Sequence, residues 1–283
     1  MSRSSRQAIL SLGLAALLAI GQPARAQSDA DPDFGHPNLV VTVVRDGYTI
    51  SGLVTHLKDA KSFKHGVALF PGHPGIMRLR DDGGQAKFGL GGNFLVRSRR
   101  HWLDEDTLVV VVDAPSDQWG SFYQFFRETP RYGADVGALI KALALQFGLE
   151  DWTFVGTSEG SVSAFHAARM NPLLAKRTIL TASVFRSGQN GPGLSGVKWG
   201  ELASELLWVH HEDDPCAFTA YRYAQQFART SARPLVTVRG GGPGRGQDCQ
   251  AFTAHGFVGV ERETVLAMRS WVKTGTVPPD VAP

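Results

Sequence analysis

Residues 108–112 form a run of consecutive apolar side chains, one Leu followed by four Val, with no polar residue among them. A strand with one face in water alternates apolar and polar residues, so this run predicts a strand that is covered on both faces. Strands of that kind are typical of parallel sheets with helices above and below. Similar short apolar runs recur at 67–70, 152–155, 178–184, 206–209 and 235–238.

Segments with helical periodicity separate these runs. Val136, Leu139, Ile140 and Leu143 follow the i, i+3, i+4, i+7 spacing of one helix face, and Gly148 stands where a C-terminal cap belongs. The same periodicity predicts further helices at 160–170, 217–228 and 262–272.

An N-terminal hairpin precedes this alternation. Asp46-Gly47 lies between two β-rich runs, 39–44 and 48–54, and Asp-Gly in that setting favours a tight turn. A hairpin followed by alternating strands and helices predicts the α/β class, with a doubly wound, mostly parallel sheet and an antiparallel hairpin at its start. We expect one such domain over residues 39–283.

Residues 1–26 have the composition of a secretory signal. Arg3 and Arg6 precede the apolar stretch 8–20, and residues 24–26 (Ala-Arg-Ala) provide a small-x-small cleavage pattern. The apolar stretch is shorter than the ~20 residues of a membrane-spanning helix. An uncleaved anchor or a buried helix is the alternative. With a polar N-terminal tail at 27–38, the sequence predicts an exported protein, periplasmic or extracellular, with no stable membrane anchor.

The net charge of the chain is +3, which taken alone would indicate an acidic partner. Removing the signal segment takes away three of the 29 basic residues, Arg3, Arg6 and Arg25, and none of the 26 acidic ones, so the remaining charges balance. We therefore predict no nucleic-acid partner. The sequence carries no signal for the oligomeric state.

Cys216 and Cys249 are the two cysteines of the chain. Because two cysteines usually pair in an oxidising compartment, we predict one disulfide between them. Two free buried thiols are the alternative.

Residues 156–160, Gly-Thr-Ser-Glu-Gly, match the G-x-S-x-G pattern and lie between a predicted strand and a predicted helix. A serine on such a sharp turn is raised above the sheet with an exposed hydroxyl, and the turn tolerates only small neighbours. Ser158 is therefore a candidate nucleophile. A structural glycine-rich turn is the alternative.

A nucleophilic serine needs a base, and the base needs an orienting group. Asp213 and Asp214 belong to the segment 210–215 that directly follows the predicted strand 206–209, so their carboxylates belong at the strand ends where Ser158 is also expected. His255 comes after the last predicted strand and before the last predicted helix. This chain order, Ser, acid, His, fits a catalytic triad.

The order of elements, the G-x-S-x-G turn, the Asp-Pro pair at 214–215 and the His-Gly-Phe at 255–257 together resemble the α/β-hydrolase superfamily, over roughly residues 39–275. The chain is similar to a compact, capless, exported bacterial member. The resemblance implies Ser158 as nucleophile, His255 as general base and Asp214, followed by a turn-forming proline, as orienting acid. Asp213 is the competing acid.

The resemblance also implies an oxyanion hole made of two backbone N–H groups, those of Glu159 and His73. Members often have His-Gly where this chain has Pro71-Gly72, which is why His73, the residue after the glycine, is assigned. The Glu159 carboxylate would oppose charge on the oxyanion if it pointed inward. We expect it to point away and to pair with Arg186 or Arg127, or else to be solvated.

The implied activity is hydrolysis of a small-molecule or polymeric ester through an acyl-enzyme, without a cofactor. A peptidase, thioesterase or acyltransferase on the same triad is an alternative, and so is a non-catalytic binding protein of the same fold. The disulfide would link the loop of Asp214 to the loop of His255, as a clamp on the triad or as a purely structural bridge.

Three aromatic residues, Trp119, Phe122 and Tyr123, follow another predicted strand and are either core residues or a substrate wall. We predict no metal site, because His210, His211, Asp213 and Asp214 are nearly consecutive and their side chains diverge. The G-x-G-x-x-G match at 191–196 opens no convincing helix and does not predict a dinucleotide site.

Overall fold

A computed structural model describes residues 36–278 and 280–282. The predicted signal segment 1–26 and most of the predicted tail 27–38 lie outside the described residues. The strands are β1 (Asn38–Val44), β2 (Thr49–Thr55), β3 (His65–Phe70), β4 (Arg80–Asp82), β5 (Gln85–Lys87), β6 (Thr107–Val112), β7 (Trp152–Thr157), β8 (Ala175–Thr181), β9 (Glu205–His211), β10 (Leu235–Val238) and β11 (Asp280–Val281). The α-helices are α1 (Phe94–Ser98), α2 (Gln124–Arg127), α3 (Pro130–Phe147), α4 (Glu159–Met170), α5 (Tyr221–Ser231) and α6 (Glu261–Thr274).

The main sheet of the described residues has nine strands in the order β1-β2-β6-β3-β7-β8-β9-β10-β11. β1 pairs antiparallel with β2, and β2 pairs antiparallel with β6, whereas every later pair is parallel. β4 and β5 form a separate small hairpin. The predicted class, a mostly parallel α/β sheet with an antiparallel hairpin at its start, is confirmed.

The central strand β6 explains the unbroken apolar run. Val110 belongs to an apolar cluster on one face of the sheet, together with Leu139 of α3. Val109 and Val111 belong to a second cluster on the other face, with Met268 of α6. Both faces of the strand are therefore buried, so no position along it favours a polar side chain. Within the described part of the chain, no helix is long and apolar enough to cross a membrane.

Two elements are shifted by three to four residues from their predicted positions. The strand predicted at 178–184 ends at Thr181, because Ala182 adopts a positive φ of 39° and turns the chain out of the sheet. The helix predicted at 217–228 begins only at Tyr221, because the side chains of Asp214 and Thr219 hold the preceding residues in a turn. The β4–β5 hairpin and α1 were not predicted.

Candidate active site

Ser158 is the single residue between β7 and α4. Its backbone has φ 53° and ψ −127°, a conformation that is strained for a residue with a side chain. The backbone N–H of Ser158 donates to the carbonyl of Thr181 at 3.1 Å, which ties the turn to the end of β8. Ser158 remains partly exposed, so its hydroxyl stands at the carboxyl edge of the sheet.

The small residues around Ser158 allow three backbone segments to meet. A Cβ on Gly156 would collide with the carbonyl of Gly160, and a Cβ on Gly160 would collide with the carbonyl of Phe70 at the end of β3. A Cβ on Gly72 would lie 2.9 Å from the Cβ of Ser158. The glycines therefore bring the loop after β3 directly against the serine.

Gly160→Ala should destabilise the protein by about 3 kcal/mol, the range seen when extra atoms are forced into a packed site. The collision is with backbone, which cannot rotate away as a side chain would. Urea denaturation measures the loss, and Gly196→Ala is the matched control because its new Cβ would meet nothing within 4 Å. Equal stability of the two variants would contradict the close approach of Gly160 to the carbonyl of Phe70.

Asp214 and His255 form a buried pair. The Nδ1 atom of His255 lies 3.1 Å from Oδ2 and 3.3 Å from Oδ1 of Asp214. The side chains of His255 and Asp214 are 5% and 0% exposed. Water is therefore excluded from the pair, which strengthens the interaction between the ring N–H and the carboxylate.

The loop after β9, called the acid loop here, carries both candidate acids, Asp213 and Asp214, and buries one of their two carboxylates. Oδ1 of Asp214 accepts from the backbone N–H of Cys216 at 2.9 Å, and Oδ2 accepts from the hydroxyl of Thr219 at 2.7 Å. The same hydroxyl lies 3.1 Å from Nδ1 of His255. Asp213 is exposed. The structure thus brings Asp214, rather than Asp213, to the histidine, and it adds Thr219 to the pair.

The loop that carries His255 is anchored on both sides. A Cβ on Gly256 would collide with the carbonyl of Ala251, and Phe257, with a positive φ of 59°, is buried against Phe94 at a ring distance of 4.6 Å. Arg97 of α1 donates to the carbonyl of Gly256 at 2.6 Å. These contacts fix the backbone of His255. No sequence motif predicted that Arg97 would anchor this loop.

A disulfide joins Cys216 to Cys249, as the sequence predicted. Cys216 lies two residues after Asp214, and Cys249 lies six residues before His255. The bridge therefore connects the acid loop to the histidine loop.

Replacing both cysteines by serine should lower the free energy of unfolding by about 3–4 kcal/mol, because the bridge restricts the unfolded chain. Thr219 and Arg97 should still hold Asp214 and His255 in place without the bridge. Denaturation with and without reductant measures the change in the free energy of unfolding. Reductant should destabilise the wild type and leave the stability of the double variant unchanged. Equal destabilisation of both proteins would contradict the assignment of a disulfide between Cys216 and Cys249.

A cavity of about 460 Å³ opens beside Ser158. Thr219 lines it and also contacts His255. Among the described residues no hydrogen bond joins Ser158 to His255. A larger cavity, about 780 Å³, lies beside the β4–β5 hairpin and is lined by none of the candidate catalytic residues. The residues that line the cavity at the serine are His73, Gln124, Ser158, Glu159, Val184, Arg186, Gly188, Gln189, Asn190, Cys216, Phe218, Thr219 and Cys249.

The loop after β3 is held by Asp113, a residue at the end of β6. Its carboxylate accepts from the backbone N–H groups of Met77 at 2.6 Å, Leu79 at 2.8 Å and Ala114 at 2.8 Å. Burial raises the pKa of Asp113 to about 6, although these hydrogen bonds lower it. Asp113 therefore fixes the segment that continues from His73.

The carboxylate of Glu159, which lines the same cavity as Ser158, is held in a cluster of polar side chains. Its Oε2 lies 3.5 Å from the guanidinium of Arg127 and 3.3 Å from Nδ1 of His73, and its Oε1 accepts from Asn190 at 2.5 Å. Burial alone would raise the pKa of Glu159, but the hydrogen bond from His73 and the charge of Arg127 outweigh it and lower the pKa. Of the two expected arginines, Arg127 is the partner, whereas Arg186 lines the cavity.

The three aromatic residues that the sequence left open between core and substrate wall do not line this cavity. Phe122 is 6% exposed and packs under the guanidinium of Arg127 at 3.9 Å, so it belongs to the core. Trp119 donates its ring N–H to the carbonyl of Ala114, and Tyr123 is 53% exposed. The chain turns after β6 before these residues, which places them beyond the site.

The side chains of His210 and His211, the last two residues of β9, have different partners. His210 is fully buried, which lowers its pKa to about 3, and its Nε2 accepts from the backbone N–H of Ser183 at 3.1 Å. His211 contacts the carbonyl of Gly240 instead. In the described ranges no group of three His, Cys, Asp or Glu side chains is arranged to hold a metal ion.

No protein-family model and no curated protein matches the chain. Solved structures do match the chain. The chain is similar to an α/β serine hydrolase without a lid from Xanthomonas campestris, with a TM-score of 0.53 and 15% identity over 84% of this chain and 93% of that one. Est1E from Butyrivibrio proteoclasticus gives a TM-score of 0.54 and 12% identity, over 83% of this chain and 96% of that one.

A third similar structure is a cold-adapted esterase from an Arctic intertidal metagenomic library, with a TM-score of 0.51 and 12% identity over 72% of this chain and 84% of that one. At such low identities the likeness concerns the fold. The chain has the α/β-hydrolase fold.

Proposed function

We propose that this chain, with its α/β-hydrolase fold, is an exported serine hydrolase that cleaves carboxylic esters through an acyl-enzyme. One observation carries the proposal. Ser158 stands on a strained strand-to-helix turn, in a cavity that also contains Thr219, and Thr219 contacts the buried pair of Asp214 and His255.

Each residue of this arrangement has a distinct role in the reaction. The Oγ of Ser158 attacks the acyl carbonyl while Nε2 of His255 takes its proton. Asp214 accepts the Nδ1–H of the ring, so the tautomer with Nε2 as a base is favoured and the imidazolium that forms is stabilised. Nε2 then gives its proton to the departing alcohol.

The tetrahedral oxyanion needs donors that are in place before the reaction starts. We assign the backbone N–H groups of Glu159 and His73, because Gly72 brings the loop after β3 against Ser158. Asp113 holds the continuation of that loop. A water molecule, activated by His255, finally hydrolyses the acyl-enzyme, and the chemistry requires no cofactor.

Ester substrates are favoured by the nature of the cavity. Val184, Phe218 and the disulfide contribute apolar surface beside the serine, which suits an acyl or aryl group of a small-molecule ester or of a polymer. One of the similar structures is an esterase. The disulfide supports export, because such bonds persist in oxidising compartments.

A fluorophosphonate probe tests the proposal directly. We expect the wild-type chain to be labelled at Ser158, and the labelled protein to lose ester turnover. A panel of p-nitrophenyl esters, thioesters and peptides then identifies the chemistry, with short-chain esters turned over fastest. An intact chain that neither reacts with the probe nor hydrolyses any member of the panel would be a binding protein of this fold.

A further inference from the structure

The imidazole of His73 occupies an unusual place for a loop residue. The ring lines the same cavity as Ser158 and is 62% exposed, yet its Nδ1 lies 3.3 Å from the buried carboxylate of Glu159. Asn190 approaches the same nitrogen at 3.4 Å. Among the described residues every hydrogen bond of the ring falls on Nδ1, so Nε2 is the atom that remains for a ligand in the cavity.

Formal charges explain why this ring matters for an oxyanion. Glu159 directly follows the nucleophile, and its negative charge would oppose the charge that forms on the substrate oxygen. The buried guanidinium of Arg127 lies 3.5 Å from it and neutralises that charge. A proton on His73 then gives the three-residue cluster a net charge of +1 beside the reacting carbonyl.

We propose that His73 acts with its side chain as well as its backbone, as an imidazolium that stabilises the oxyanion of the proposed hydrolase from the cavity wall. The proposal rests on the proposed function. Electrostatic stabilisation of this kind requires a charge that is fixed before the reaction, and Glu159 fixes the ring through Nδ1. Because the oxyanion exists only in the transition state, the side chain should raise kcat more than it lowers KM.

The hydrogen bond to Glu159 raises the pKa of His73 above its ordinary 6.5, despite partial burial and the nearby charge of Arg127. The other charged groups at the cavity are Arg186 in its wall and the Asp214–His255 pair behind Thr219. A raised pKa means that the imidazolium persists below that pKa and is lost as the pH rises through it. Activity should therefore fall on the alkaline side as His73 loses its proton.

The test compares kcat and KM of the wild type, His73→Gln and His73→Lys across pH on one p-nitrophenyl ester. All three keep the backbone N–H. We expect His73→Gln to lose about 10- to 100-fold in kcat, less than the roughly 10²–10³-fold lost with a direct oxyanion donor, with little change in KM. His73→Lys should recover part of kcat and should keep it at alkaline pH, where a lysine is still charged.

A second variant, Glu159→Gln, removes the carboxylate that holds the proton on His73. It should move the alkaline fall in kcat to lower pH while the fluorophosphonate label is retained. Equal kcat values for His73→Gln and the wild type, or an alkaline limb that persists in His73→Lys, would overturn the proposal for His73 alone. A wild type with no ester turnover and no label would instead overturn the proposed function and this inference with it.

Discussion

Ser158→Ala should abolish ester turnover, with a loss of more than about 10⁴-fold in kcat, and should remove labelling by a fluorophosphonate. The hydroxyl forms the bond to the acyl group in the proposed mechanism, so neither His255 nor the oxyanion donors can replace it. Residual activity reflects only the donors and the cavity, which continue to bind the substrate. Steady-state kinetics on a p-nitrophenyl ester, with active-site titration of the wild type, measures the effect.

Folding must be unchanged for this result to be informative. The hydroxyl of Ser158 makes no hydrogen bond within the described residues, so its removal should shift the free energy of unfolding by less than about 0.5 kcal/mol. Ser195→Ala is the matched control, because Ser195 is exposed and its hydroxyl donates to the carbonyl of Pro192, three residues away. Full activity of Ser158→Ala, or an equal loss in Ser195→Ala, would refute the serine mechanism.

The parts of this molecule that the sequence predicts are those set by local patterns. The run 108–112 predicted a strand buried on both faces, and β6 has an apolar cluster on each side. Gly148 caps α3 in a left-handed conformation because the residue there must adopt a positive φ. The turn at 156–160 is local only in part, because Gly156 makes room for the carbonyl of Gly160, whereas Gly160 makes room for the distant carbonyl of Phe70.

The parts that the sequence did not predict depend on contacts between distant segments. No sequence pattern distinguishes Thr219 from other threonines. The fold places its hydroxyl between Asp214 and His255. Arg97 comes from a short helix with no motif, and it reaches the carbonyl of Gly256 from far along the chain. The sequence left Phe122 open between core and substrate wall for the same reason, because nothing in the composition near it distinguishes a core aromatic from a cavity aromatic.

Burial separates the two candidate acids in a way that their positions in the sequence do not. Both lie in the loop after the strand β9, and either carboxylate fits the chain order of a triad. Asp214 has no exposed side-chain surface and accepts from Cys216 and Thr219 as well as from His255, whereas Asp213 is exposed. An exposed carboxylate is screened by water and loses most of its influence on a neighbouring imidazole.

Asp214→Asn should therefore lower kcat by roughly 10³- to 10⁴-fold, while the matched variant Asp213→Asn stays within about twofold of the wild type. An amide that donates toward Nδ1 favours the tautomer with the proton on Nε2, which can no longer accept the proton of Ser158. Labelling by the fluorophosphonate should slow in parallel, and thermal melting verifies that both variants are folded. A larger loss in Asp213→Asn than in Asp214→Asn would exchange the two roles, and equal small losses would mean that His255 works without an orienting carboxylate.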